Sequence, residues 1–523
     1  MNRRDFLKLS AAGAAATVLG PRVLPAAAAA APKPNIVFIL CDDLGYGDVH
    51  CLNPQRCKVP TPNMDRLAGQ GMTFTDAHSP SAVCTPTRYG TLTGRYSWRS
   101  KLQKGVLMGY SEPLIAPDRL TVAGLLKQSG YHTACIGKWH LGWDWAYKGQ
   151  RKDDNVDYSQ PIANGPTTRG FDSFFGIAAS LDMHPYIWVE NDKSVGECTV
   201  KKAFHRPGPA HKDFEAVDVL PTLGRKACQY IADRTQSAKA AGDGRGQPFF
   251  LYLALTSPHT PIVPSKEWQG KNEIGPYGDF VMQTDSVIGQ VIDAVDKSGQ
   301  ADNTLIILTS DNGFAPYVGV QQIEAKGHYP SAAFRGYKAD VWDGGHRVPF
   351  IARWNGKVQA GSTCDQLACL TDLMATAADL AGAKVPETAG EDSVSLAPAL
   401  LGRADKPLRE AVIHHSINGA FGVRQGRWKL DLCAGSGGWA SPKDAQALAQ
   451  GLPEVQLYDM TADVGERKNL QAEHPEIVQR LTALLEKYIA DGRSTPGPRQ
   501  KNDADIVIHK TPKGAAKKAA KKK

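Results

Sequence analysis

The strongest constraint on this chain is a set of four short apolar runs, each of which stops at a polar cluster. Residues 36–40 stop at Asp42-Asp43, residues 249–255 at Ser257-Pro258-His259, and residues 305–308 at Asp311-Asn312-Gly313. A weaker run, 132–136, stops at Gly137-Lys138-Trp139-His140. Runs of this length, separated by helical periodicities, predict buried strands of an α/β fold with a large, mostly parallel sheet sandwiched by helices. In open α/β sheets ligands collect beyond the carboxyl ends of the strands. One such end is an ordinary turn signal; four alike predict a shared site.

Ligand type narrows that site. Asp42, Asp43, Asp311 and Asn312 offer only oxygens, which suits Ca²⁺ or Mg²⁺ rather than zinc. Calcium accepts irregular, crowded oxygen shells more readily than magnesium and is the expected ion. A second motif is Cys84-Thr85-Pro86-Thr87-Arg88. Pro86 suits the first turn of a helix, so Cys84 is expected at a helix N-terminus, where backbone donors favour negative charge. Arg88 follows one turn later with planar, always-charged donors.

These residues resemble the signature of the type I sulfatases, members of the alkaline phosphatase superfamily. The likeness extends through 34–48, Thr61-Pro-Asn-Met-Asp65, Tyr131 to Gly142, Ser257-Pro-His259, Asp311-Asn312-Gly313, Arg335 to Lys338, Trp342 to Pro349 and Leu457 to Leu470, in family order over about residues 33–490. Position 87 holds Thr where the family more often has Ser or Ala. The resemblance implies an alkaline-phosphatase-like sheet and a cysteine oxidised to formylglycine by a maturation enzyme. It implies hydrolysis of sulfate esters, of sugars or aryl alcohols, in the manner of bacterial arylsulfatases and N-acetylgalactosamine-6-sulfatases. Loops after Arg95 hint at an exo-acting carbohydrate sulfatase.

The implied chemistry has a physical logic. A thiol would leave a stable thiosulfate-type adduct, whereas a hydrated formylglycine at position 84 attacks sulfur with one hydroxyl and expels sulfate through the other. The cation, held by Asp42, Asp43, Asp311, Asn312 and the modified Cys84, would polarise the reacting oxygens. Asp311 is implied to take the proton of the attacking hydroxyl. Arg88, Lys138 and Lys338 are implied to neutralise the sulfate, His259 with Lys338 to protonate the leaving oxygen, and His140 to drive sulfate release. A phosphonate monoester or phosphodiester hydrolase of the same superfamily is the alternative enzyme. A catalytically dead binder of sulfated glycans is the alternative of another class.

Charge distribution excludes a nucleic-acid body. The net charge is +8, yet residues 510–523 hold seven lysines and no acid, and residues 1–31 hold four basic residues against Asp5. The rest is slightly acidic. The start, Arg3-Arg4-Asp5-Phe6-Leu7-Lys8 before an Ala/Gly-rich apolar stretch, resembles a twin-arginine signal, implying the Tat translocase as partner and a periplasmic or secreted product with no stable membrane anchor. Four segments are expected: export signal 1–31, catalytic domain 32–405, α+β subdomain 406–509 and a disordered tail 510–523 able to bind polyanions. Alternating residues in 411–433 predict an antiparallel sheet for the subdomain, and 477–489 a helix. Cys41 and Cys135 are expected as inert core thiols. Cys51 with Cys57, and Cys364 with Cys369, are near enough in sequence to pair. The stretch 143–209 is expected to form loops around the pocket, with Trp139, Trp143, Trp145, Tyr186 and Trp188 available to stack on a sugar or aryl ring.

Overall fold

The computed structural model describes residues 33–240 and 246–509. The export signal and the lysine tail lie outside the described residues. Ten strands form one sheet: β1 (Asn35–Asp42), β2 (Met72–Phe74), β3 (His132–Lys138), β4 (Ser173–Ile177), β5 (Val189–Glu190), β6 (Lys193–Ser194), β7 (Phe249–Pro258), β8 (Thr304–Ser310), β9 (Phe350–Arg353) and β10 (Ser362–Cys364). Their order is β10-β2-β9-β8-β1-β7-β3-β4-β5-β6. The middle five, β8, β1, β7, β3 and β4, are all parallel; β9 is antiparallel to β8 and β2, β10 lies parallel to β2 at that edge, and β5 and β6 are antiparallel at the other.

The apolar runs are continuous because both faces of the sheet are covered. Along β1, Ile36, Phe38 and Leu40 enter one apolar cluster, while Val37, Ile39 and Cys41 enter the other. That is the period of two of a pleated strand. Four helices matter for the site and its setting: α1 (Cys84–Thr93), α2 (Val219–Ala240), α3 (Pro276–Lys297) and α4 (Pro475–Asp491). Helices α2 and α3 cover the second face through Leu223, Ala227, Ile231, Val281, Ile288 and Val291. Burying each leucine, isoleucine or valine side chain of this set contributes about 1.5–3 kcal/mol.

A separate antiparallel sheet comprises β11 (Val412–His415), β12 (Phe421–Gln425), β13 (Trp428–Asp431) and β14 (Gln456–Asp459), in that order. Helix α4 packs against it with Leu481, Leu485 and Tyr488. Both elements match the alternation and periodicity of the sequence.

Two expectations are corrected. Trp139, Trp143 and Tyr186 are each 1% exposed and Trp145 is 5%. Their rings pack on one another and on core phenylalanines, as in Trp143–Trp145 at 5.3 Å and Trp143–Phe174 at 5.9 Å. Trp188 lies on Phe175 at 4.9 Å. The stretch 143–209 does contribute Asp182, Met183, His205 and Arg206 to the wall of the pocket, but it does not present these rings to a ligand. All ten cysteines are unpaired; the Cys57 thiol instead donates to the Val59 carbonyl at 3.2 Å. Cys41 and Cys135 are fully buried, as expected.

Candidate active site

Parallel register aligns the four strand ends. Cys41 faces Ser310, Gly137 faces Ala254, and Asp42 faces Pro258 across an irregularity after Leu40. Asp42, Asp43, Lys138, His259, Asp311 and Asn312 consequently leave neighbouring strands on the same edge, and all are buried. Asp43 adopts φ 65° and His140 φ 57°, left-handed conformations that are costly outside glycine and concentrate at functional sites.

The charges interlock. Lys138 Nζ donates to Asp42 Oδ2 at 2.7 Å and to Ser180 Oγ at 2.7 Å. Lys338 Nζ donates to both Asp43 oxygens at 2.5 and 2.7 Å. Arg88 donates through Nε and Nη2 to Asp311 Oδ2, at 2.9 and 2.8 Å, and through Nη1 to the Lys138 carbonyl at 2.9 Å. Asn312 Nδ2 donates to Asp43 Oδ1 at 2.7 Å. Burial works against ionised Asp42, but Lys138, His259 and Arg88 hold its carboxyl well below the usual range. Burial and the charge on Asp42 push Asp311 up.

Two oxygens in this cradle, Asp42 Oδ1 and Asn312 Oδ1, are buried without a hydrogen-bond partner. Unsatisfied buried oxygens on a four-oxygen donor set fit a hard cation. Asp42, Asp43 and His259 offer ligand atoms within 4.8 Å of one another. A second trio, His78, His346 and His414, lies elsewhere; the His346 and His414 rings stack at 3.7 Å, so their in-plane lone pairs run side by side instead of converging.

Cys84 is the first residue of α1, all ten residues of which are buried. It lines a cavity of about 930 Å³ together with His259, Lys338, Asp182, Arg206, Tyr317 and Trp439. Burial pushes its thiol up and Lys138 and Lys338 pull it down; burial prevails. His259 Nδ1 lies 2.6 Å from the Thr260 carbonyl, to which it donates, leaving Nε2 toward Asp43 Oδ2 at 3.5 Å, Ser180 Oγ at 3.4 Å and Tyr317 Oη at 3.5 Å. His140 Nε2 donates to the Leu107 carbonyl at 2.7 Å, and its Nδ1 is buried with no hydrogen-bond partner. Burial and Lys138 keep His140 well below the ordinary histidine range.

Three site residues escaped the sequence reading. Ser180 bridges Lys138 and His259, and Tyr317 reaches His259 and Asp43. Asp182 lines the cavity beside its ion-pair partner Arg206, with Oδ1 buried and unpartnered. Ser180 and Asp182 follow β4, a fifth strand that ends in polar residues like the other four.

An acidic, cation-ready cradle, ringed by fixed positive charge and faced by a helix N-terminus at the carboxyl edge of a parallel sheet, defines a hydrolase for anionic esters. The Sulfatase family profile matches residues 34–383, and the chain belongs to that family. It is 34% identical over 495 residues to the N-acetylgalactosamine-6-O-sulfatase of Bacteroides thetaiotaomicron, covering 87% of this chain and 93% of that protein. It is 32% identical to human arylsulfatase A, covering 91% and 92%. A solved 6S-sulfatase of Bacteroides thetaiotaomicron, from a locus for metabolism of multiple glycosaminoglycans, superposes with a TM-score of 0.76 at 32% identity, covering 87% of this chain and 99% of that one. The protein is a sulfuric ester hydrolase. Residues 1–20 match the twin-arginine signal sequence, which marks the chain for export to the periplasm or beyond. Among the described residues no helix is long and apolar enough to cross a membrane.

Proposed function

We propose that the protein hydrolyses sulfate esters of a carbohydrate, with Cys84 acting as nucleophile once oxidised to formylglycine. The observation that carries this reading is the placement of Cys84 at the start of α1, on the cavity wall shared with Lys338 and His259. One hydroxyl of the hydrated aldehyde attacks sulfur and forms an O–S bond, giving its proton to Asp311. The S–O bond to the sugar breaks, and the departing oxygen takes a proton from His259, supported by Lys338. His140 Nδ1, which holds a free lone pair, accepts the proton of the second hydroxyl; the aldehyde re-forms, sulfate departs and water restores the diol. Arg88, Lys138 and Lys338 are fixed in place before reaction, so charge stabilisation costs no reorganisation. Asp42, Asp43, Asp311 and Asn312 would hold a Ca²⁺ ion, which when bound would supply Lewis acidity to the reacting ester.

The N-acetylgalactosamine-6-O-sulfatase among the relatives supports N-acetylgalactosamine 6-sulfate as the first substrate to try. Two measurements test the reading. Cys84→Ala is expected to abolish release of sulfate while leaving the thermal transition intact; an active, folded Cys84→Ala protein overturns it. Sulfate, phosphodiester and phosphonate esters of one chromogenic alcohol, assayed side by side, are expected to rank sulfate first.

A further inference from the structure

We propose that Tyr317 and Trp439 form an aromatic ledge that holds the sugar ring linked to the sulfated residue, so that the enzyme reads at least two rings of a sulfated glycan. This rests on the reading of the preceding section. Large exposed apolar side chains are few among the described residues, and two of them, Tyr317 at 50% and Trp439 at 37%, meet at the mouth of the cavity that Cys84 lines. Their ring centroids lie 5.7 Å apart with planes inclined by 57°. Paired exposed aromatics at a site mouth are a binding feature, since isolated ones need no explanation and buried ones serve packing.

The two rings come from different parts of the chain, and each is anchored to the reacting groups. Tyr317 follows β8, and its hydroxyl lies 3.5 Å from both His259 Nε2 and Asp43 Oδ2. Trp439 belongs to the segment between β13 and β14. The backbone N–H groups of Trp439 and Ala440 donate to Asp340 Oδ1 at 2.8 and 3.0 Å, two residues beyond Lys338. At Gly438 a Cβ would lie 2.3 Å from the Ala339 carbonyl, so this backbone approach requires glycine. The ledge is thus rigidly fixed on the side where the sugar oxygen departs.

Volume points the same way. A cavity of about 930 Å³ stands near the upper end of the ~300–1,000 Å³ typical of small-molecule sites. One sulfated ring seated at Cys84 leaves space out to the ledge. Arg206, the arginine that lines this space, is already paired with Asp182, which leaves it little charge to offer a second anion. An apolar platform suits the flat C–H face of a neutral sugar ring.

Steady-state kinetics on the matured enzyme test the ledge, using N-acetylgalactosamine 6-sulfate alone and the same residue within a disaccharide. Trp439→Ala is expected to raise KM for the disaccharide about five- to tenfold with kcat unchanged, and to leave both constants for the monosaccharide unchanged. Trp439→Phe is expected to keep most of the disaccharide affinity, as a merely structural tryptophan would not. Equal effects on both substrates, or none on either, overturn the ledge. Wild-type enzyme that releases sulfate from no ester overturns the sulfatase reading instead.

Discussion

At the scale of single residues, the site is a set of buried charges whose partners are only partly satisfied. Lys138 and Lys338 each occupy one carboxylate of the cradle, yet Asp42 Oδ1 and Asn312 Oδ1 keep no hydrogen-bond partner. Leaving a buried acceptor unsatisfied costs about 1–3 kcal/mol, a cost that a bound cation would remove. We therefore predict that Ca²⁺ at about 100 times its Kd stabilises the fold by about 2.7 kcal/mol, seen as a rise in Tm that a chelator reverses. Asn312→Ala, which deletes one of the two orphaned oxygens, is expected to shrink the shift; a Tm indifferent to Ca²⁺ in the wild-type protein removes calcium from the site. The sequence made the four oxygen donors legible because chain order and strand ends placed them. It concealed Ser180 and Tyr317, since serine and tyrosine in connecting segments carry no spacing signal. Their roles come from packing between segments distant in sequence, Ser180 lying 79 residues from His259.

At the scale of elements, convergence depends on how closely the strands approach at their carboxyl ends. Gly137, next to Lys138, has φ 121°, and a Cβ there would lie 1.8 Å from the Ala254 carbonyl of β7. Gly105, with φ 72°, has nothing within 4 Å of such a Cβ. Gly137→Ala is accordingly expected to cost more than about 4 kcal/mol and to displace Lys138 from Asp42, whereas Gly105→Ala, strained only in its backbone, costs about 1 kcal/mol. Denaturant titration separates them; equal midpoints would refute the argument. The apolar runs revealed β1, β7 and β8 because a strand covered on both faces must be continuously apolar. β4 was hidden because Ser173-Phe-Phe-Gly-Ile177 is short and broken by a glycine. Sequence places the tryptophans of 139–145 at the pocket for a related reason: composition shows aromatic density but not which rings face each other. The indole N–H groups of Trp139 and Trp145 already donate to the Gly142 and Gly109 carbonyls at 2.9 Å each, which allows them to be buried.

At the scale of the molecule, the two sheets meet through buried polar groups as well as apolar ones. Arg99 makes a two-pronged pair with Asp392 at 2.8 and 2.9 Å, and Arg409 pairs with Asp372 at 2.8 Å. A relay runs between the sheets: Lys429 Nζ approaches His346 Nε2 at 3.3 Å, His346 Nδ1 meets His78 Nδ1 at 3.0 Å, and His78 Nε2 meets Asp76 Oδ1 at 2.8 Å. His346 Nε2 also lies 2.8 Å from the Val341 carbonyl, to which it donates. Burial holds His78, His346 and His414 below the ordinary histidine value. Above about pH 6.5 neither state protonates them; as pH falls below it the unfolded chain takes up protons that the fold refuses, and stability declines. His414 feels His346, His78, Lys429 and Asp343, and neither of its nitrogens has a hydrogen-bond partner. His414→Leu is therefore expected to change stability little at pH 7.5 and to recover about 1.4 kcal/mol at pH 5.5 relative to wild type; unchanged acid sensitivity would count against neutral burial. Charge outside the body follows a different logic. With seven lysines in 510–523 and a slightly acidic remainder, we propose that any attraction for polyanions resides in this segment. Such attraction acts over a Debye length of about 10 Å at 0.1 M salt and raises encounter with a sulfated polymer without touching the bond that breaks. Deleting 510–523 should leave kcat/KM for a small sulfate ester unchanged. Retention on a sulfated polymer at low salt should fall, with the difference vanishing near 1 M salt. Equal retention of both forms at low salt would show that the tail plays no part in finding substrate.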